Sequence, residues 1–233
     1  MSTTARTKLS VVIPVYNERA ALPRLLAFAR RWEQACHEVV FSDGGSTDGT
    51  CGLLRDAGMT VVEGPKGRGA QCDLGARATG GDAVMFLHAD VAVAPDALEH
   101  AAQALDRGAT WGCLTLRWER RDAVYRLGEW ASNRRVRRAG IPFGDQAPFV
   151  TRALYDAVGG IPHLPIMEDY EFALRLRARG LGPVQLPDEV WASPRRFEEG
   201  GPLRTALLMR RLRRLYRAGT PAEELAAMYR DVR

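Results

Sequence analysis

Four short apolar runs in the first hundred residues each end in a polar cluster, and each cluster leads into a stretch with helical signals. The first run, residues 9–15, is β-branched and apolar with almost no polar alternation, the pattern of a strand buried on both faces. The spacing predicts further strands over 38–42, 59–63 and 82–88. Between them come a helix capped by Asn17 and running to Trp32, a short one opened by Ser46-Thr47-Asp48, and one over 70–78. Another starts at Pro95-Asp96, where the missing N–H of proline costs nothing. Strands alternating with helices constrain the chain to an α/β fold, with a mostly parallel sheet flanked by helices.

After Gly108 the pattern loosens. A longer strand is expected over 110–119, a strongly basic helix over 121–138, and a strand over 146–151 running into a short helix at 152–158. Helices follow over 168–179, 202–217 and 221–230. No internal repeat and no low-complexity linker interrupts the chain, so its 233 residues are expected to form a single domain.

Composition removes several classes. Hydrophobic residues at 46% and charged residues at 26% are ordinary for a globular chain. Mean hydropathy is −0.23, and no apolar run approaches the ~18 residues of a spanning helix. Residues 1–10 hold two basic groups but no apolar stretch, which argues against a signal peptide. Cys36, Cys51, Cys72 and Cys113 lie far apart without a CxxC pair, giving neither zinc-ribbon spacing nor a disulfide framework. A reduced, cytoplasmic setting is expected.

The net charge of +5 is unevenly placed. Residues 1–115 hold 11 basic and 13 acidic groups, and residues 116–233 hold 22 and 15. A basic second half, its basic groups all arginine, points to phosphates, nucleic acid or an anionic membrane surface.

In an open parallel sheet, ligands collect at the carboxyl ends of the strands. The polar clusters Tyr16-Asn17-Glu18, Asp43-Gly44-Gly45-Ser46, Lys66-Gly67-Arg68-Gly69 and His88-Ala89-Asp90 all fall there. Asp43 can accept a hydrogen bond from a base N–H, while the glycines let a planar ring approach the backbone. Lys66 and Arg68 offer cations to a diphosphate, beside a helix whose first N–H groups are unsatisfied. Asp90 follows a buried strand, where a divalent metal shared with the diphosphate would relieve an otherwise costly carboxylate. The set describes a nucleoside-diphosphate site. It is not a dinucleotide site, because no GxGxxG follows the first strand.

The blocks Val11-Val12-Ile13-Pro14-Val15-Tyr16-Asn17-Glu18, Asp43-Gly44-Gly45-Ser46-Thr47-Asp48-Gly49-Thr50, Gly67-Arg68-Gly69 and Phe86-Leu87-His88-Ala89-Asp90 resemble the signatures of family-2 glycosyltransferases. The match continues through Gly144-Asp145-Gln146, Met167-Glu168-Asp169 and Ser193-Pro194-Arg195-Arg196-Phe197, and the combination is similar to a small bacterial subfamily associated with arsenosugar biosynthesis. The resemblance implies a GT-A fold, a Rossmann-like α/β arrangement with a basic helical C-terminal segment. It also implies a nucleotide-binding half over 1–115 and an acceptor half over 116–233. The implied reaction is inverting transfer of a sugar from a nucleoside-diphosphate donor to the hydroxyl of a small-molecule or lipid-linked acceptor.

Carried over residue by residue, the resemblance implies that Pro14, Glu18 and Asp43 bind the nucleoside, and that Tyr16, Lys66, Gly67, Arg68 and Gly69 line the donor site. Asp90 would hold Mg²⁺ or Mn²⁺ as the last residue of a DxD motif. The first DxD position is His88, which either faces the ribose and metal or merely caps the strand. Arg195 and Arg196 would neutralise the departing diphosphate, against the alternative of surface pairs with Glu198 or Glu199. Asp145 and Gln146 would meet the acceptor. Adjacent carboxylates at a helix start point to different faces, so Asp169 is the expected base and Glu168, its rival, serves structure or the acceptor.

Core packing is the expected job of most of Trp111, Trp118, Trp130 and Trp191, with sugar stacking as the alternative. The helix over 203–217 sets six arginines around an apolar stripe and suits core packing, an anionic membrane surface or a homodimer contact alike. Rival functions are a nucleotide-sugar-binding subunit without catalysis, suggested by His88, and a sugar-1-phosphate nucleotidyltransferase, whose longer glycine-rich first loop is missing after Val15. Nucleic-acid binding is the weaker rival, because the arginines are not interleaved with aromatics in a known module.

Overall fold

The computed structural model describes residues 6–35, 37–194 and 200–230. Strands β1 (Leu9–Val15), β2 (Glu38–Asp43), β3 (Thr60–Glu63) and β4 (Ala83–Phe86) run parallel, with β1 between β2 and β4. Helices α1 (Leu22–Gln34), α2 (Thr50–Asp56) and α3 (Arg68–Arg77) connect them. The continuous apolar run of β1 has the expected cause. Leu9, Val11, Ile13 and Val15 enter a core completed by α1 and by α4 (Pro95–Asp106). Val12 enters the opposite core, with Cys72 and Ala76 of α3.

The rest of the chain contributes β5 (Val91–Val93), β6 (Trp111–Trp118), β7 (Phe149–Thr151) and β8 (Val184–Ala192). All eight strands form one sheet in the order β3-β2-β1-β4-β7-β6-β8-β5. β7 is antiparallel to both β4 and β6, and β5 is antiparallel to β8, while β6 and β8 are parallel. Helices α5 (Ala123–Ala139), α6 (Arg152–Ala157), α7 (Glu168–Ala178), α8 (Pro202–Arg217) and α9 (Ala222–Arg230) complete the chain. Residues of α6, α7, α8 and α9 share the core of Val12.

Several expectations need correction: the short strand β5 was not expected, and the strand expected over 146–151 begins at Phe149. α1 starts at Leu22, with Pro23 in its first turn and no side-chain cap, because Asn17 is used elsewhere. The strand expected over 82–88 ends at Phe86. The strand β8 was not foreseen, since Pro187 and a mixed polar pattern mask it. The sheet tolerates that proline through a register shift. Cys113 faces Gln185, but Thr115 faces Glu189, so Pro187 sits in the bulge, where no ladder N–H is needed.

Candidate active site

The loops at the carboxyl ends of β1 and β2 are tied together by Asn17. Its backbone is left-handed, with φ 54°, a conformation that asparagine tolerates better than most residues. Its side-chain Oδ1 accepts the Thr47 N–H at 2.8 Å, and its own N–H donates to Ser46 Oγ at 2.9 Å. Asp43 lies beneath this turn, buried, and accepts the N–H groups of Gly45 (2.9 Å) and Ser46 (2.8 Å) and the Ser46 hydroxyl (2.5 Å). Pro14 pairs with Ser42 across the two strands, and the Glu18 N–H donates to Thr50 Oγ1 at 3.0 Å. Lys66 places its Nζ 3.9 Å from the centre of the Tyr16 ring, a cation–π contact on the open edge of the sheet. Pro14, Tyr16, Glu18, Asp43 and Lys66 are thus assembled at one strand-end edge.

Gln71 organises that edge, although sequence reasoning passed over it. From α3 its Nε2 donates to Val15 O (2.8 Å) and Ser42 O (2.9 Å), and its Oε1 accepts the Gly67 N–H at 3.3 Å. The available signal was a polar residue on the inward face of a helix that follows a strand end. Gly67 has φ 146°, which a side chain rarely adopts.

Beside this edge lies a cleft of about 390 Å³ whose lining includes Arg68, His88, Asp90, Asp145 and Asp169. Asp169, half-buried at the start of α7, accepts the Gly144 N–H on Oδ2 at 2.8 Å and the Tyr170 N–H on Oδ1 at 2.7 Å. Gly144 opens a short 3-10 turn (Gly144–Gln146). A Cβ on Gly144 would lie 2.4 Å from His88 Nε2 and 3.5 Å from Asp169 Oδ2, so the imidazole and the carboxylate converge on the space that only glycine leaves open. Asp90 is fixed from behind, its carbonyl accepting the Ser193 N–H at 3.2 Å from the end of β8.

The neighbouring carboxylate has a different fate. Glu168 is buried and paired with the Arg68 guanidinium. Burial alone would lower the Arg68 pKa, but the charges of Glu168 and then Asp169 outweigh it, and the guanidinium is held above its ordinary value. Glu168 is therefore a partner of Arg68, which corrects the expectation that it meets the acceptor. Gln146 needs the same correction. It is fully buried, accepting from Arg135 at 3.0 Å and the Phe143 N–H at 3.3 Å, and donating to Asn133 at 3.3 Å. Gly69 likewise packs rather than lines the cleft, since a Cβ there would stand 2.2 Å from the carbonyl oxygen of Pro162. Gly69→Ala should lower stability by about 2 kcal/mol, because the clash is with backbone. A thermal melt equal to wild type would refute that packing role.

Two cleft arginines were not foreseen as such. Arg135 of α5 and Arg213 of α8 lie 3.6 and 5.1 Å from the centre of the Phe143 ring. Burial lowers Arg135 to about 10, so it remains charged at neutral pH. Burial lowers Arg213 as well. Arg213 turns inward because Thr205, Met209 and Arg213 recur at helical spacing on the face of α8 that lines the cleft. Trp111 and Trp118 are buried, as core packing requires, and Trp130 is exposed. Arg195 and Arg196 lie outside the described residues.

Two places among the described residues offer carboxylates for a metal. Asp43, Cys51 and Glu63 bring ligand atoms within 4.8 Å of one another. The Asp43 carboxylate is already engaged by its turn and Glu63 by Arg55, while burial pushes the Cys51 thiol up, away from the thiolate a metal needs. Asp90 fits better. It presents a hard oxygen ligand to a cleft that also receives the Arg68 side chain, where phosphate oxygens would complete the coordination.

Comparison with known proteins bears on this geometry. Residues 10–153 match the family described as glycosyl transferase family 2. The undecaprenyl-phosphate 4-deoxy-4-formamido-L-arabinose transferase of Aeromonas hydrophila is 36% identical over 142 residues, covering 54% of this chain and 42% of the relative. The protein of the same name from Pseudomonas aeruginosa is 35% identical, covering 53% and 39%. The chain thus spans about two-fifths of the length of these curated relatives. Among solved structures, the mannosyltransferase PcManGT from Pyrobaculum calidifontis, in complex with GDP-Man and Mn²⁺, aligns with a TM-score of 0.72 at 24% identity, over 94% of this chain and 66% of that one. TarS 1–349 from S. aureus with UDP-GlcNAc aligns at 0.63 and 19% identity, over 80% and 58%. These likenesses establish the GT-A fold. None of these comparisons bears on the arsenosugar subgroup. With the family match covering more than half of its length and the fold agreeing, the chain belongs to glycosyl transferase family 2.

Proposed function

We propose that the protein transfers a sugar, with inversion, from a nucleoside-diphosphate donor to an acceptor hydroxyl in the cleft, and that Asp169 is the base. The observation that carries this reading is the separation of the two adjacent carboxylates. Glu168 is buried against Arg68, while Asp169 stands in the cleft with both oxygens oriented by backbone N–H groups. An acceptor hydroxyl has a pKa far above neutrality, so a positioned carboxylate must take its proton as the oxygen attacks the anomeric carbon. A single displacement of this kind inverts the anomeric configuration. The nucleoside lies along the edge formed by Tyr16, Glu18 and Asp43, with Pro14 beneath. Lys66 and Arg68 face the diphosphate, and their fixed charge offsets the charge that develops on the leaving group.

A divalent cation, when bound, supplies Lewis-acid neutralisation of the diphosphate, and Asp90 is the residue that would hold it. Mn²⁺ accompanies GDP-Man in the neighbour from Pyrobaculum calidifontis. Asp90→Ala and chelator should each abolish donor turnover in wild-type conditions, and added Mn²⁺ or Mg²⁺ should restore the chelated wild type alone. Undiminished turnover in chelator refutes the metal reading.

The apolar wall of the cleft, including Val124, Leu127, Leu203 and Met209, suits an acceptor with an apolar body. The relatives from Aeromonas and Pseudomonas are named for undecaprenyl phosphate, and a lipid-linked acceptor for this chain accords with them. Transfer assays with a panel of sugar nucleotides separate this reading from a binding-only subunit, which would retain donor affinity without turnover. Release of pyrophosphate from a nucleoside triphosphate and a sugar phosphate would instead identify a nucleotidyltransferase.

A further inference from the structure

The four most exposed large apolar side chains among the described residues all lie on two helices. Leu127 and Trp130 of α5 are 61% and 53% exposed, and Leu203 and Leu207 of α8 are each 66% exposed. The helices pack against each other, and Leu127 and Leu203 also line the cleft. The apolar group is therefore the rim of the cleft mouth, not a scatter of isolated residues.

The exposed charge on these two helices has one sign. α8 holds six arginines and no acidic residue. Arg204, Arg210, Arg211, Arg214 and Arg217 are exposed, and only Arg213 turns into the cleft wall. α5 holds five arginines and one acid, Glu129, which is buried and accepts the Trp118 N–H at 2.8 Å. Arg134 lies 4.9 Å from the centre of the Trp130 ring, so a cation sits directly on the exposed indole. Apolar tips set among arginines match a surface that is apolar inside and anionic at its face. A second copy of the chain is a poorer partner, since apposing this face with itself sets arginine against arginine. Among the described residues no helix is long and apolar enough to cross a membrane, so contact through these helices would be peripheral.

We infer that the α5–α8 face docks on an anionic lipid bilayer and turns the mouth of the cleft towards it. Leu127, Trp130, Leu203 and Leu207 enter the interface, and the exposed arginines hold the lipid phosphates. An acceptor with an apolar body then reaches the cleft from the lipid side. Only that last consequence rests on the proposed transfer reaction. Docking is measured without donor or acceptor, so the two readings fail separately.

The experiment is sedimentation of the full chain with vesicles of phosphatidylcholine mixed with phosphatidylglycerol, against pure phosphatidylcholine. Binding is expected to the mixed vesicles only, and to fall as salt rises. The combined Arg210→Gln, Arg211→Gln and Arg214→Gln variant should bind about 100-fold more weakly. Leu207→Gln should also weaken binding, with an unchanged thermal melt. Tryptophan emission should shift to the blue on binding, and Trp130→Phe should remove most of that shift. Three results would overturn the proposal. These are absence of binding to the mixed vesicles at low salt, a triple arginine variant that binds like wild type, or a salt-resistant dimer that Leu207→Glu dissociates.

Discussion

Asp169→Asn is expected to lower acceptor-dependent kcat by about 10²–10⁴-fold while donor affinity stays near that of the wild type. The amide keeps the shape and one carbonyl oxygen for the Gly144 or Tyr170 N–H, so the start of α7 should persist. What it loses is the capacity to take a full proton from the attacking hydroxyl. The measurement is kcat with donor saturated, beside a donor Kd from calorimetry and a thermal melt. Normal turnover by the variant would remove Asp169 from the mechanism. A parallel fall in donor affinity would instead mark it as part of the donor site.

Glu168→Ala should act through the fold. The carboxylate is buried and its partner Arg68 reaches the edge of the cleft, so the change strands a guanidinium that burial alone disfavours. Removing one member of a buried pair costs about 3–5 kcal/mol, and partial exposure of Arg68 favours the lower end. A loss of about 3 kcal/mol should lower the Tm by about 6–12 °C in a chain of this size. Wild-type stability together with a large fall in kcat would reverse the roles of the two carboxylates. The pair of variants therefore separates chemistry from scaffolding at adjacent positions, where sequence reasoning left both open.

Much of the strand-end edge was legible before any coordinates. Local chemistry writes it: an apolar run long enough to be a buried strand, then residues suited to a turn, then a helix. That logic placed Asp43, Lys66 and Asp90 at strand ends, and it placed α8 over Pro202–Arg217 as found. It failed where a residue's partner is remote. Asn17 resembles a helix cap, yet it bonds to a loop thirty residues away. Gln71 is unremarkable in its own helix and finds its partners only where β1 and β2 end.

The cleft shows the same division more sharply. Arg213 is one of six arginines on a helix whose sequence suits solvent, lipid or a partner equally, and helix packing alone turns it into the cleft. Gln146 follows Asp145 directly, but the turn carries one side chain to the cleft and buries the other among Arg135, Phe143 and Asn133. β8 escaped notice because Pro187 interrupts its pattern, and only a bulge against β6 makes that proline acceptable. Periodicity, turn chemistry and the glycines that permit close approach are properties of neighbouring residues, so the linear chain carries them. Which of two adjacent carboxylates is held in an ion pair and which faces the cleft depends on a guanidinium a hundred residues earlier in the chain, and packing brings that contact about.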